Sequence, residues 1–237
     1  TGRVAGSLFA SVAYDEVRER LVMVTGDMAD EDAYVEAGVW EWDGVQWEHI
    51  APDGSEPAGR DHACASFSTE LGEVIYFGGC LGEDCNGTLL NDVWSWDGVR
   101  WLELDIPNAP PPQYYCRMAR DSLRDEVIML PGYEAASAPL PSDTFWRFSV
   151  DGWQEVGLID NSSEPTSSLV YDSGNERYLS YTPQLGRVDE VNMSVDRHPA
   201  IDFHATFLDA LFQPDEVTSI RTRLSAQGEG PEGGGLS

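Results

Sequence analysis

Two nine-residue stretches decide the fold: Val39-Trp40-Glu41-Trp42-Asp43-Gly44-Val45-Gln46-Trp47 and Val93-Trp94-Ser95-Trp96-Asp97-Gly98-Val99-Arg100-Trp101. Apolar residues alternate ahead of an Asp-Gly pair, which reaches positive φ at low steric cost, and a Trp restarts the chain beyond the turn. That pattern predicts a β-hairpin. A third copy, Phe145-Trp146-Arg147-Phe148-Ser149-Val150-Asp151-Gly152-Trp153, keeps the Trp spacing but slides Asp-Gly two places later. Its hairpin is expected to be looser or bulged. Trp40 and Trp47, Trp94 and Trp101, and Trp146 and Trp153 are each seven residues apart, and successive pairs are offset by 54 and 52 residues.

Working outward, each hairpin is preceded by a second element at the same period. Tyr14-Asp15 leads to Leu21-Val22-Met23-Val24-Thr25-Gly26, Phe67 to Val74-Ile75-Tyr76-Phe77-Gly78-Gly79, and Asp121 to Val127-Ile128-Met129-Leu130-Pro131-Gly132. A fourth runs from Leu169-Val170-Tyr171-Asp172 through Tyr178-Leu179-Ser180-Tyr181 and has no Trp hairpin after it. Uncharged runs bounded by Gly or Pro read as strands buried on both faces. Four strands in a unit of about fifty residues is the pattern of a propeller blade. Pro-rich stretches at 52–57, 107–112 and 164–165 fall where the chain crosses between units, since Pro lacks a ladder donor. The expected fold is therefore all-β: three clear four-stranded blades plus a degenerate fourth, in a propeller that is either incomplete or completed by another chain. An N-terminal segment covers 1–6. The repeats cover 7–57, 58–112, 113–166 and, in part, 167–182. Residues 183–237 read as a diverged blade or the start of a second β module with a Gly-rich tail. Thr1 in first position and the Gly-rich end predict a piece of a longer chain.

These residues resemble the kelch-repeat family of β-propellers: Tyr-Asp before the second strand, the Gly78-Gly79 pair ending it, then Asn91-Asp92-Val93-Trp94 and Trp101. The first and third copies carry Thr25-Gly26 and Pro131-Gly132 where the family has Gly-Gly. The Trp-Asp-Gly style, with Arg in place of Lys throughout, is similar to bacterial kelch proteins. The resemblance implies a propeller of binding loops. It also raises one enzymatic alternative, because galactose oxidase-like enzymes hold copper on such a propeller with Tyr, His and a Cys–Tyr crosslink. Tyr114-Tyr115-Cys116 prompts that comparison, but no second compact His pair accompanies it.

Composition excludes several classes. The 237 residues hold 42 acidic and 14 basic side chains, a formal charge of −28, and all 14 basic residues are Arg. Without Lys there is no P-loop lysine and no Schiff-base chemistry. A surface this acidic repels phosphate backbones, so nucleic acid is not an expected partner. No apolar run reaches 18 residues, so no helical membrane span is expected. The even set of cysteines, Cys64, Cys80, Cys85 and Cys116, fits disulfides in an extracytoplasmic or secreted protein, or four reduced thiols in a cytosolic one. Cys80 and Cys85 flank a short, turn-rich loop that can close into a disulfide. Cys64 and Cys116 fall at comparable places in neighbouring units, which predicts a bridge or adjacent packing.

The candidate site residues lie in the loops after the second strands, which vary while the Trp framework repeats. These loops are Asp27 to Gly38, with Asp27, Asp30, Glu31 and Asp32; Cys80 to Asn91, with Glu83 and Asp84; and Tyr133 to Asp143, with Tyr133 and Glu134. The acidic cluster in the first could offer oxygen ligands to calcium but lacks a known calcium-loop spacing, so a solvated acidic loop is the simpler reading. Arg60-Asp61-His62 reads as a polar cluster that satisfies its own hydrogen bonds. His198 and His204 share no regular face and read as bystanders to metal chemistry. The expected function is a non-enzymatic binding or adhesion scaffold presenting these loops to a protein or glycan, without a cofactor. The alternatives are a propeller metalloenzyme and a structural subunit of a surface assembly, self-associating through open blade edges.

Overall fold

The strands form where the alternation places them. The computed structural model describes residues 10–26, 38–82, 85, 87–134, 144–159, 168–182, 187–191 and 193–194. Blade 1 is β1 (Ser11–Asp15), β2 (Arg20–Thr25), β3 (Gly38–Trp42) and β4 (Trp47–Ile50). Blade 2 is β5 (Cys64–Ser68), β6 (Glu73–Phe77), β7 (Val93–Trp96) and β8 (Trp101–Leu104). Blade 3 is β9 (Arg117–Asp121), β10 (Glu126–Leu130), β11 (Thr144–Phe148) and β12 (Gln154–Ile159). The fourth sheet holds β13 (Ser168–Asp172), β14 (Arg177–Thr182) and β15 (Arg187–Glu190), while β16 (Met193–Ser194) returns to pair with β12. Every pairing is antiparallel. The chain is thus all-β, four sheets arranged as four propeller blades. The first strands lie side by side, β1 by β5, β5 by β9 and β9 by β13. Among the described residues no comparable packing joins β13 to β1. Residues 195–237 lie outside the described residues.

Period-two alternation sends successive side chains to opposite faces, so each blade contributes to two apolar layers. Val74, Tyr76, Trp96 and Trp101 join Ala13, Val22, Val24 and Val39 between blades 1 and 2. Ile75, Phe77 and Val93 join Met118, Met129 and Trp153 between blades 2 and 3. Phe145 and Ile128 meet Leu169 and Tyr178 between blade 3 and the fourth. Burying each of these large side chains contributes about 1.5–3 kcal/mol.

The hairpins form as expected, and the ladder sets Trp42 and Trp96, not Trp40 and Trp94, opposite the second Trp of each pair. Trp42 faces Trp47 and Trp96 faces Trp101 across the ladder, with ring centroids 5.8 and 5.2 Å apart. Phe148 and Trp153 make the matching contact in blade 3 at 5.2 Å. Asp43 and Asp97 do not take positive φ themselves. Each accepts two backbone N–H groups, from Val45 and Gln46 and from Val99 and Arg100, at 2.8–2.9 Å, and only Gly44 and Gly98 are left-handed. The third hairpin is bulged as expected, with the register shift between Phe145 and Trp146, inside the ladder rather than at the turn. The same economy closes the inner turns: the Asp15 and Asp121 carboxylates, both fully buried, accept amides from Val17 and Arg18 and from Leu123 and Arg124.

One polar tie crosses from blade to blade and a second braces blade 2. Glu41 accepts from Arg18 Nη1 at 2.6 Å and from Trp96 Nε1 of the next blade at 2.8 Å. Arg60 gives both terminal nitrogens to Asp92, which also accepts from Trp94 Nε1 at 2.6 Å. Burial works against the Asp92 carboxylate, yet the Arg60 and Trp94 hydrogen bonds hold it below the usual range. All four cysteines are bonded: Cys64 to Cys116, joining β5 to the residue before β9, and Cys80 to Cys85, just after β6.

Candidate functional site

The end of the blades from which the loops after β6 and β10 depart carries an aromatic cluster built by two neighbouring repeats. Short antiparallel bridges extend the sheets past their strands here, Asp61 to Cys80 in blade 2 and Tyr114 to Tyr133 in blade 3. These bridges put His62 and Tyr115 at the same position of successive blades, and both have left-handed backbones, φ 57° and 59°. Non-glycine residues in that conformation are uncommon; Glu19, Asp125 and Glu176 reach it in the inner turns, whereas His62 and Tyr115 reach it beside the bridges. The Tyr115 N–H donates to His62 O at 2.9 Å, locking one to the other.

The rings gather accordingly. His62 lies 3.7 Å from Tyr115 and 6.1 Å from Tyr114, centroid to centroid. Tyr114 is 5.5 Å from Tyr133, and Tyr115 meets the Tyr133 edge at 6.3 Å. Tyr115 is 37% exposed, His62, Tyr114 and Tyr133 are half-buried, and Glu134 is exposed beside them. The result is a rigid tyrosine surface with hydroxyls, open to solvent on one side.

Buried polar groups brace it from below. Gln113, 1% exposed, accepts the Gly132 N–H at 2.7 Å, and its own carbonyl accepts Gly79 N–H at 2.8 Å. Gly79 is left-handed, and a Cβ there would stand 2.8 Å from the Asp61 carbonyl oxygen, which is why the repeat keeps glycine. Arg117 donates to Pro131 O at 2.7 Å, and burial presses its guanidinium down to about 10, so it stays charged at neutral pH.

Of the residues expected in binding loops, Tyr133 stands in this cluster and Glu134 on its rim. Asp27, Asp30, Glu31, Asp32, Glu83 and Asp84 lie outside the described residues, as do His198 and His204. Cys80 and Cys85 sit on the same rim. Among the described residues no three His, Cys, Asp or Glu side chains gather as a metal-holding group, and no helix is long and apolar enough to cross a membrane. The Cys116 sulfur is bonded to Cys64, which withdraws the thiol that a Cys–Tyr crosslink would use. Reading the sequence pairs Tyr114 and Tyr115 only with copper chemistry and His62 only with structure. The missed signal was the 53-residue offset between His62 and Tyr115, which gives them one position in the repeat.

Burial presses the His62 imidazole down from 6.5 to about 4. The unfolded chain therefore takes up a proton that the folded chain refuses as pH falls from about 6.5 towards 4. Stability is highest above that window and declines through it. Denaturation midpoints at pH 7 and pH 5 should show this decline in the wild type. The His62→Asn protein should lose that part of it, and an identical decline in both would refute the assignment.

No family model matches the chain. A stretch of 134 residues, 53% of this chain, is 28% identical to the alpha chain of the flagellar outer-arm dynein of Chlamydomonas reinhardtii. The similar region spans 3% of that much longer protein.

Proposed function

We propose that the chain is a non-enzymatic binding scaffold built from kelch-type blades, and that its partner, a protein or glycan, seats on His62, Tyr114, Tyr115 and Tyr133. The observation that carries this reading is the left-handed pair His62 and Tyr115, held with their rings together on an otherwise sheet-bound rim. Tyrosine offers a flat apolar face for a sugar ring or a peptide, a hydroxyl for its polar groups, and little rotamer entropy to lose. Two disulfides favour an oxidising, extracytoplasmic setting.

The test is a screen of the purified chain against defined oligosaccharides and immobilised extracellular proteins. Whichever ligand is retained should bind Tyr115→Ala about tenfold less tightly, because one stacked aromatic contributes on the order of 1.5 kcal/mol. The thermal midpoint should stay unchanged. Undiminished binding by Tyr115→Ala and Tyr133→Ala alike would rule this surface out.

A further inference from the structure

Each blade carries a cross-strand row that faces the blade before it. In blade 2 the row is Phe67, Val74, Trp96 and Trp101, paired in that order across β5 to β8. All four are 5% exposed or less, packed on Ala13, Val22, Val24 and Val39 of blade 1. The same ladder positions of blade 1 hold Tyr14, Leu21, Trp42 and Trp47. The chemistry is the same, yet Tyr14 is 38% exposed, its neighbour Val12 is 37% exposed, and Leu21, Trp42 and Trp47 are only half-buried. Three large aromatics in one row that reaches solvent is an unusual surface for a soluble chain. The repeat itself states what such a row is shaped to meet: the small aliphatic far side of another blade.

A surface of that kind is present on the fourth sheet. Its near side, with Leu169, Tyr171 and Tyr178, is packed on blade 3. On its far side Val170 pairs with Leu179, and Val188 with Tyr181. These are the ladder positions of Ala13 with Val22 and Val39 with Val24 in blade 1. Val170 and Val188 are half-buried and Tyr181 is 41% exposed. Among the described residues no packing comparable to the other blade-to-blade contacts joins β13 to β1 within one chain. We infer that the row Tyr14–Leu21–Trp42–Trp47 docks the Val170–Val188 side of the fourth sheet of a second copy, continuing the blade-to-blade interface from chain to chain. The contact is head-to-tail, so each copy offers one surface of each kind. It is apolar between two chains of formal charge −28, so added salt strengthens it by screening their repulsion.

Sedimentation equilibrium of the full chain tests this at low salt and at an ionic strength of about 1 M, where the Debye length is near 3 Å. The expected mass at high salt is at least twice the 26.1 kDa of one chain. Trp42→Arg and Val170→Arg should each weaken association at least about tenfold, with far-UV circular dichroism unchanged. Mixing these two variants should restore a heterodimer, because each keeps the surface the other has lost. A wild type that is monomeric at both ionic strengths overturns the inference, as does association that both variants leave intact. A mixture that fails to associate while the wild type does would show a symmetric contact instead, and overturns it equally. Should Trp42→Arg fail to fold, Val170→Arg at the opposite end and Tyr14→Arg carry the same comparison.

Discussion

Trp96→Ala is expected to lower the unfolding free energy by about 4 kcal/mol, a large share of the roughly 5–15 kcal/mol that holds a domain folded. Trp96 is completely buried between blades 1 and 2, and its ring lies against Trp101. Truncation opens a cavity where two rigid sheets meet, and sheets tied by their own ladders cannot collapse into it. A second loss is electrostatic. The indole N–H is one of two donors to Glu41, a carboxylate only 8% exposed, and its removal leaves Arg18 alone to hold that charge. Trp96→Phe separates the two contributions: it keeps most of the ring volume and loses the donor, at about 2 kcal/mol. Urea midpoints of the three proteins measure both. If Trp96→Phe were as damaging as Trp96→Ala, packing would not be the dominant contribution; if neither shifted the midpoint, blades 1 and 2 would not be packed through this residue.

The second large effect is covalent. The Cys64–Cys116 bridge closes a loop with a sequence separation of 52. On the chain-entropy account, such a crosslink removes about 4 kcal/mol of unfolded-state freedom. Cys64→Ser with Cys116→Ser should therefore cost about that much. Cys80→Ser with Cys85→Ser, a separation of 5, should cost about half of it. Both are read from chemical denaturation in the absence of reductant. The ordering is the discriminating result, and equal losses from the two pairs would show that loop length is not what governs them.

The sequence displays the parts of this fold that repeat and hides the parts that do not. Val39 to Trp47 and Val93 to Trp101 carry alternation, turn and period together, so the hairpins of blades 1 and 2 are legible, but the seven-residue spacing picks out Trp40 and Trp94 where the ladder sets Trp42 and Trp96 opposite Trp47 and Trp101. The strand over Arg187–Glu190 escapes notice because it holds one apolar residue, Val188, among charges, too short a run for any periodicity. Met193–Ser194 is a strand only because β12 has an open edge to receive it. The Cys80–Cys85 closure is local, and its loop length exposes it. The Cys64–Cys116 bridge needs the repeat alignment as well, and in the ladder its two ends are offset by one residue, Cys64 corresponding to Arg117 and Cys116 to Ala63. The aromatic site is harder still. His62, Tyr115 and Tyr133 come from three separate segments, and nothing local to any one of them announces a ring cluster. What unites them is the register between neighbouring blades, a property of the packed sheets rather than of any motif.

One consequence of the inter-blade staple concerns force. Tension applied along the chain enters at Cys64 and leaves at Cys116 through sulfur, so the backbone carrying β6, β7 and β8 is bypassed. Those strands remain slack however hard the ends are drawn apart. Roughly 180 Å of potential extension, 52 residues at about 3.5 Å each, is withheld from the stretched contour until the bond is reduced. Blade 2, between the two sulfurs, is thereby shielded from such a pull, and Tyr114 and Tyr115 of the aromatic cluster with it.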